Sequence, residues 1–170
     1  MIFKTKRLGL RTPESSDASF FFELMNSEGW LRHIGDRGIR SRDDALKYIS
    51  SLNEGHESNG YGLYAITIEE RPIEERPIGV CGLLKRDYLD HPDLGFALLP
   101  EFTGKGYIQE AGTCILDDAF QNQGLDKVLA ITSDDNAASQ ATLRKLGFYL
   151  KGMIKQPGGE EVILFAKQKR

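Results

Sequence analysis

Residues 94–107 constrain the fold more than any other stretch: Leu94-Gly95-Phe96-Ala97-Leu98-Leu99-Pro100-Glu101-Phe102-Thr103-Gly104-Lys105-Gly106-Tyr107. An apolar, strand-like run passes through a loop with two glycines into a long segment. In that segment Ile108, Ala111, Ile115, Leu116, Ala119 and Phe120 share one helical face. Strand, glycine loop and helix start, in that order, put backbone N–H groups where an anion can sit, and glycine lets the anion approach the backbone. Neither the P-loop pattern nor Gly-x-Gly-x-x-Gly occurs, so the loop by itself reads equally as a glycine-assisted turn.

Around this stretch the chain reads as short strands and amphipathic helices. Residues 5–11 alternate polar and apolar, as a first strand does, and Pro13 ends it. Ser15 or Ser16 can cap a helix with Phe20, Phe21, Leu24 and Met25 on one face. Residues 30–40, with Gly35 and Gly38, read as a loop. Ser41 and Asp44 make a capping box that opens a second helix striped by Ala45, Leu46, Ile49 and Leu52, and residues 53–60 turn polar and turn-rich. Residues 61–68 and 78–84 are strands. Between them Glu69-Glu70-Arg71-Pro72-Ile73 is repeated as Glu74-Glu75-Arg76-Pro77-Ile78. It reads as an exposed hairpin connection whose duplication is tolerated, with a partner-binding role as the alternative.

Residues 85–92 form a polar loop and 93–99 the strand of the opening stretch. The helix after the glycine loop runs over 105–123 and stops at Gly124. A buried strand follows at 128–132. Asp134-Asp135-Asn136 then caps a helix with Ala138, Ala141, Leu143 and Leu146, ended by Gly147. Strands at 148–154 and 162–166 close the chain. The order β-α-α-β-β-β-α-β-α-β-β is not a regular βαβ alternation. It predicts one α/β (α+β) domain over residues 1–170, with a mixed, mostly antiparallel central sheet of about seven strands and helices on both faces.

Composition narrows the function classes. At 170 residues one domain can bury a real core, and 40% apolar with 28% charged residues is ordinary for a soluble protein. A net charge of −3 gives no electrostatic case for nucleic acid as a partner. No run approaches the roughly 20 apolar residues of a membrane span, and the N-terminus lacks an apolar signal core, so neither membrane nor secretion is expected. Cys81 and Cys114 fall on apolar faces and read as small buried hydrophobes of a reducing compartment, the cytoplasm, rather than a disulfide. His33, His56 and His91 are scattered, and no Cys/His cluster has ligand spacing, so no metal is expected.

A second constellation is Ser133-Asp134-Asp135-Asn136-Ala137-Ala138-Ser139, between a strand and a helix start. Alone it reads as capping. Taken with Leu98 to Tyr107, Glu110-Ala111, and Leu143-x-Lys145-Leu146-Gly147-Phe148, it resembles the GCN5-related N-acetyltransferase superfamily. The nearest branch is that of the ribosomal-protein N-terminal acetyltransferases, whose first strand Thr5-Lys6-Arg7-Leu8-x-Leu10-Arg11 resembles and whose third Ile78-Gly79-x-Cys81-Gly82 resembles. The similarity spans nearly the whole chain in order.

The resemblance implies acetyl-CoA as co-substrate. Its pyrophosphate would lie on the backbone amides of Thr103, Gly104, Lys105, Gly106 and Tyr107. Leu98 and Leu99 would pair with the pantetheine arm as an added strand does. Asn136 and Ser139 would contact the pantetheine and thioester end. The family signature opens with Gln or Arg three residues before the first glycine; Glu101 stands there and is expected to point away. A backbone N–H near Leu98 would face the developing oxyanion. The tyrosine that many relatives use as general acid falls on Leu143, so Ser139 takes that role, with Tyr149 as a weaker candidate. Asp93 matches the acid at the start of the family's fourth strand and is the candidate base; a solvated strand-end carboxylate reads equally well. Glu23 and His33 are lesser candidates.

An α-amine with a pKa of about 8 is roughly a tenth neutral at pH 7, whereas lysine, at about 10.4, is far less so. A site without a strong base therefore favours an α-amine. The expected function is acetyl transfer to a primary amine, first a protein or peptide N-terminus, then a small amine such as an amino acid, polyamine or antibiotic. A non-catalytic acyl-CoA-binding module is the alternative of another class, with a nucleotide-binding domain unrelated to acetyl transfer a distant third. A homodimer is compatible with the branch. The acceptor loops at 30–40 and 85–92 name no substrate.

Overall fold

The computed structural model describes residues 2–170. Its elements are β1 (Phe3–Lys4), β2 (Gly9–Arg11), α1 (Ala18–Met25), α2 (Glu28–His33), α3 (Arg42–Asn59), β3 (Leu63–Arg71), β4 (Glu74–Leu84), β5 (Asp93–Leu98), α4 (Tyr107–Gln121), β6 (Lys127–Thr132), α5 (Ala137–Lys145), β7 (Tyr149–Lys155) and β8 (Glu161–Gln168). The strands make one sheet in the order β1-β2-β3-β4-β5-β6-β8-β7. All neighbours are antiparallel except β5 and β6, so the mixed α/β sheet is as expected, with eight strands in place of about seven.

The extra strand arises at the N-terminus. The expected strand over 5–11 breaks into a β1–β2 hairpin because Thr5 turns the chain. Its N–H donates to the Leu8 carbonyl at 2.9 Å, and its hydroxyl accepts from the Leu8 N–H at 3.1 Å. Two further differences concern helices. Residues 30–40 are not all loop, since α2 reaches His33. Residues 53–60 continue α3 to Asn59, and Gly60 closes it in the left-handed conformation. The polar run stays helical because it is tied down: Asn53 Nδ2 donates to the Pro13 carbonyl at 2.9 Å, and His56 Nε2 lies 2.6 Å from the Leu63 carbonyl. Neither Ser15 nor Ser16 caps α1. Asp17 stands at its start, its carboxylate held by Arg11 at 2.7 and 2.9 Å and by the Glu14 N–H at 2.8 Å.

The duplicated segment is a hairpin, as expected, but most of it is paired strand. Glu69 faces Glu75 and Arg71 faces Glu74, and the turn falls at Pro72 and Ile73, with Ile73 95% exposed. Positions 78–83 of β4 are buried throughout, which requires cover on both sheet faces; α1 and α4 both pack on this strand. The core is one contiguous cluster from Leu8 to Phe165. Among the described residues no helix is long and apolar enough to cross a membrane.

The feature that positions a site is the junction of β5 and β6. Their pairing is confined to Asp93 opposite Leu129, with the Leu129 N–H donating to the Pro92 carbonyl at 2.9 Å. Beyond that point the two strands part and the sheet opens as a fork.

Candidate active site

The fork is the mouth of a cleft of about 630 Å³. Gly95 to Leu98 of β5 form one wall, and Ile131 and Thr132 of β6 the other. In an antiparallel ladder, bonded and non-bonded pairs alternate. The Leu99 N–H donates to the Ile78 carbonyl at 2.9 Å, so the next pair, Leu98 opposite Gly79, is non-bonded, as is Phe96 opposite Cys81. The N–H and C=O groups of Phe96 and Leu98 therefore turn from β4 toward the fork, where β6 no longer meets them. This free strand edge invites an extended ligand. Leu99 does not share it: its N–H is used, its carbonyl accepts from Phe102 at 3.0 Å and its side chain is buried. Leu99, expected as a cofactor contact, thus lies outside the cleft lining, and Phe96 presents its backbone there instead, which follows from strand register and not from residue type.

The glycine loop continues this edge. Thr103, Gly104, Gly106 and Tyr107 line the cleft. Gly104 (φ +75°) and Gly106 (φ +79°) hold the left-handed conformation. Gly106 is the N-cap of α4 and has no side chain to cap it, and the first intrahelical bond is from the Glu110 N–H to the Gly106 carbonyl. The N–H groups of Tyr107, Ile108 and Gln109 are left for an anion. Lys105, expected with its neighbours at the phosphates, does not line the cleft: its carbonyl is held by Arg7 and its ammonium lies 5.8 Å from the Phe102 ring centroid. Glu101 bonds Arg76 at 3.3 Å, away from the cleft.

The N-terminal hairpin braces this loop from behind. Arg7 Nη1 donates to the Lys105 carbonyl at 2.9 Å, Arg7 Nε to Glu110 Oε1 at 2.8 Å, and the Arg7 N–H to Glu110 Oε2 at 2.9 Å, with the Thr5 hydroxyl on the same oxygen. The guanidinium also lies 4.6 Å from the Tyr107 ring centroid. Burial raises the Glu110 carboxyl pKa, and the bonds from Thr5 and Arg7 outweigh it, holding the group below its ordinary value.

The proton-handling candidates separate clearly. Asn136 caps α5, its Oδ1 accepting from the Ser139 N–H at 3.1 Å. Ser139 lines the cleft with its hydroxyl free of intramolecular bonds. Leu143 is 1% exposed and packs in the core, so that helix position offers the cleft nothing. Tyr149 is exposed on the edge strand β7 and Glu23 is exposed on α1; neither lines the cleft. His33 does line it, with Nδ1 3.0 Å from Ser133 Oγ and 3.4 Å from Asp135 Oδ1. Asp93 sits at the apex of the fork, 1% exposed, with both oxygens accepting from Arg86 Nε at 3.0 and 3.1 Å. Burial raises its pKa, and Arg86 pulls it back only in part. Arg86, Tyr48, Trp30 and Arg37, on elements far apart in sequence, also line the cleft. No spacing in the sequence points to them.

A sheet forked between two parallel strands, with a free strand edge leading to a helix N-terminus, makes a seat for an extended, phosphate-bearing ligand. The acetyltransferase (GNAT) domain family matches residues 7–149, and the chain belongs to that family. It is 26% identical over 157 residues to the uncharacterized N-acetyltransferase YoaA of Bacillus subtilis (strain 168), covering 91% of this chain and 86% of that protein. Two solved structures share the fold. The ribosomal-protein-S5-alanine acetyltransferase of Vibrio fischeri superposes with TM-score 0.81 at 22% identity, covering 98% of this chain and 95% of that one. RimL, a ribosomal L7/L12 alpha-N-protein acetyltransferase in complex with coenzyme A, superposes with TM-score 0.82 at 20% identity, covering 98% and 97%.

Proposed function

We propose that this GNAT-family acetyltransferase moves an acetyl group from acetyl-CoA to a primary amine, and that the amine is the N-terminal α-amine of a protein or peptide. The observation that carries the reading is the continuity of the free β5 edge at Phe96 and Leu98 with the uncapped N-terminus of α4. An extended arm pairs with the first while its phosphates meet the second. Solved relatives of the same fold include ribosomal-protein N-terminal acetyltransferases, one of them with coenzyme A.

The acceptor must arrive neutral to attack. Asp93, its pKa raised by burial, takes the ammonium proton. As the amine nitrogen bonds the thioester carbon, the Leu98 N–H meets the charge on the thioester oxygen. The carbon–sulfur bond breaks, the Ser139 hydroxyl gives its proton to the sulfur and takes back the surplus proton of the attacking nitrogen, so the products are an N-acetyl amide and a free thiol, with Ser139 restored. A modest carboxylate base suits an α-amine of pKa about 8 better than a lysine of about 10.4.

The test is thermal stabilisation by acetyl-CoA, coenzyme A, ATP and NAD, followed by thiol release with peptides, amino acids, polyamines and aminoglycosides. Stabilisation by acetyl-CoA with release driven by peptides supports the reading. Release driven only by small amines moves the acceptor to that class, and binding without release from any amine leaves an acyl-CoA-binding module.

A further inference from the structure

The α2 end of the cleft holds polar groups that the transfer chemistry does not use. Arg37 lines it and has no carboxylate within 4.0 Å, whereas Arg32 is paired with Asp135 at 3.3 Å and Arg86 with Asp93. The Tyr48 hydroxyl lines it without an intramolecular hydrogen bond, in the field of Arg37 and Arg86. Trp30 belongs to the same wall and is 5% exposed, and its indole N–H has no acceptor among the described residues. Each of these unpartnered groups can donate, and for the Trp30 N–H, which is buried, the lack of an acceptor is costly. An occupant that satisfies them brings acceptor oxygens. Of the three lining arginines, Arg32 is paired with Asp135 and Arg86 with Asp93, which leaves Arg37 as the unpaired arginine, with the exposed Glu28 as the unpaired lining carboxylate.

We propose that the acceptor that brings the amine also carries a carboxylate, seated in the α2 end of the cleft on the Arg37 guanidinium and the Tyr48 hydroxyl. One unpaired cation and one free hydroxyl on the same cleft lining match the single charge and two oxygens of a carboxylate. On the reading above, on which this rests, the occupant is an acidic N-terminal peptide, its carboxylate within the first few residues.

The experiment compares acetyl-CoA-dependent thiol release from N-terminal serine hexapeptides carrying Asp or Glu at the second to fourth positions with release from Asn and Gln counterparts. Free amino acids are set against their amides, so that a side-chain carboxylate is told from an α-carboxylate. The expected result is kcat/KM about tenfold higher for the acidic peptides, a preference lost in Arg37→Ala and turned toward basic peptides in Arg37→Glu. Tyr48→Phe lowers the preference without reversing it. Arg37 is exposed, and Tyr48→Phe keeps the ring that packs against the core, so these variants fold. Equal rates from acidic and neutral peptides, or a preference that survives Arg37→Glu, overturn this proposal alone. Acid dependence seen only with free amino acids moves the carboxylate to the α-position and overturns the peptide form. Release from no amine at all, with acetyl-CoA still binding, overturns the transfer reading and this proposal together.

Discussion

Arg7 and Glu110 stand 103 residues apart in the chain, and the guanidinium of one meets the carboxylate of the other at 2.8 Å behind the glycine loop. The same arginine holds the Lys105 carbonyl. On the function proposed above the loop amides converge on phosphates, which needs their peptide planes fixed before the ligand arrives, and this pair, outside the cleft lining, fixes them from behind. It also accounts for two short motifs, Thr5-Lys6-Arg7 and Glu110-Ala111, that have no role in the cleft itself.

Glu110→Gln should therefore raise the Kd for acetyl-CoA about threefold to tenfold, as the binding-competent loop becomes a fraction of the population. The global cost should stay near 1 kcal/mol, because the Arg7 side chain is 43% exposed and solvent screens the pair. The carboxyl is held below its ordinary value of 4.5. Its contribution is thus fully present above that value and lost as pH falls through the lower folded-state one. Titration calorimetry at pH 7, with denaturant melts from pH 7 to 3, checks both: the wild type loses stability over the acid window, and Glu110→Gln loses less.

Gly106→Ala tests the loop conformation directly. At φ +79° an alanine pays about 1–2 kcal/mol of backbone strain. The added Cβ would lie 3.5 Å from Arg7 Nη2, an ordinary contact, so the cost is conformational and not a clash. The variant should melt several degrees lower, with acetyl-CoA affinity reduced about tenfold or more. An unchanged Kd would mean that the α4 N-terminus does not hold the phosphates.

Much of this was legible in the sequence because it follows local rules. The strand–glycine–helix order around Gly104 and Gly106, the Ser41 cap and the Asn136 cap depend on neighbours a few residues away, and each is where local reasoning puts it. What escaped depends on register or on distant partners. Leu99 and Phe96 are both apolar residues of one run, and only the pairing of β5 with β4 decides which turns its backbone to the fork. The 53–60 segment is polar and turn-rich, yet Pro13, remote in sequence, and Leu63, just beyond its end, hold it helical through Asn53 and His56. The arginines at 37 and 86 carry no pattern at all; the fold brings them to one cleft.

The two cysteines should differ in reactivity. Burial pushes the Cys81 thiol up to about 12, so its thiolate fraction at pH 8 is on the order of one in ten thousand, and it is also sealed in the core. Cys114 is half-buried, and burial, with Asp117 and Asp118, raises its thiol as well. Mass spectrometry after iodoacetamide treatment at pH 8 should find slow labelling of Cys114 and none of Cys81 until the chain is unfolded.

Ser139→Ala separates chemistry from binding. The hydroxyl makes no intramolecular bond, and the Asn136 cap uses the Ser139 backbone N–H, so the fold and the helix start survive the change. Loss of a general acid costs about a hundredfold or more in kcat, with the Kd for acetyl-CoA unchanged; equal losses in both would make Ser139 a binding contact only.

Asp93→Asn addresses the other proton. A base must be ionised to act, and burial raises the Asp93 pKa above its ordinary 3.8, so wild-type kcat/KM falls as pH drops through that raised value. The asparagine variant should be slower by about a hundredfold and lack this acid limb, leaving only the rise toward pH 8 as the acceptor amine loses its own proton. Stability runs the opposite way for a carboxyl whose folded value is raised: its contribution is present below 3.8 and lost as pH rises through the folded value. Replacing it still destabilises at neutral pH, on the order of 3 kcal/mol, because Arg86 is left without its counter-charge. Arg86→Met with Asp93→Asn should recover much of that stability without recovering activity. An acid limb that persists in Asp93→Asn assigns the proton to another group, and His33, which lines the cleft with its Nδ1 3.0 Å from Ser133 Oγ, is then the first to substitute.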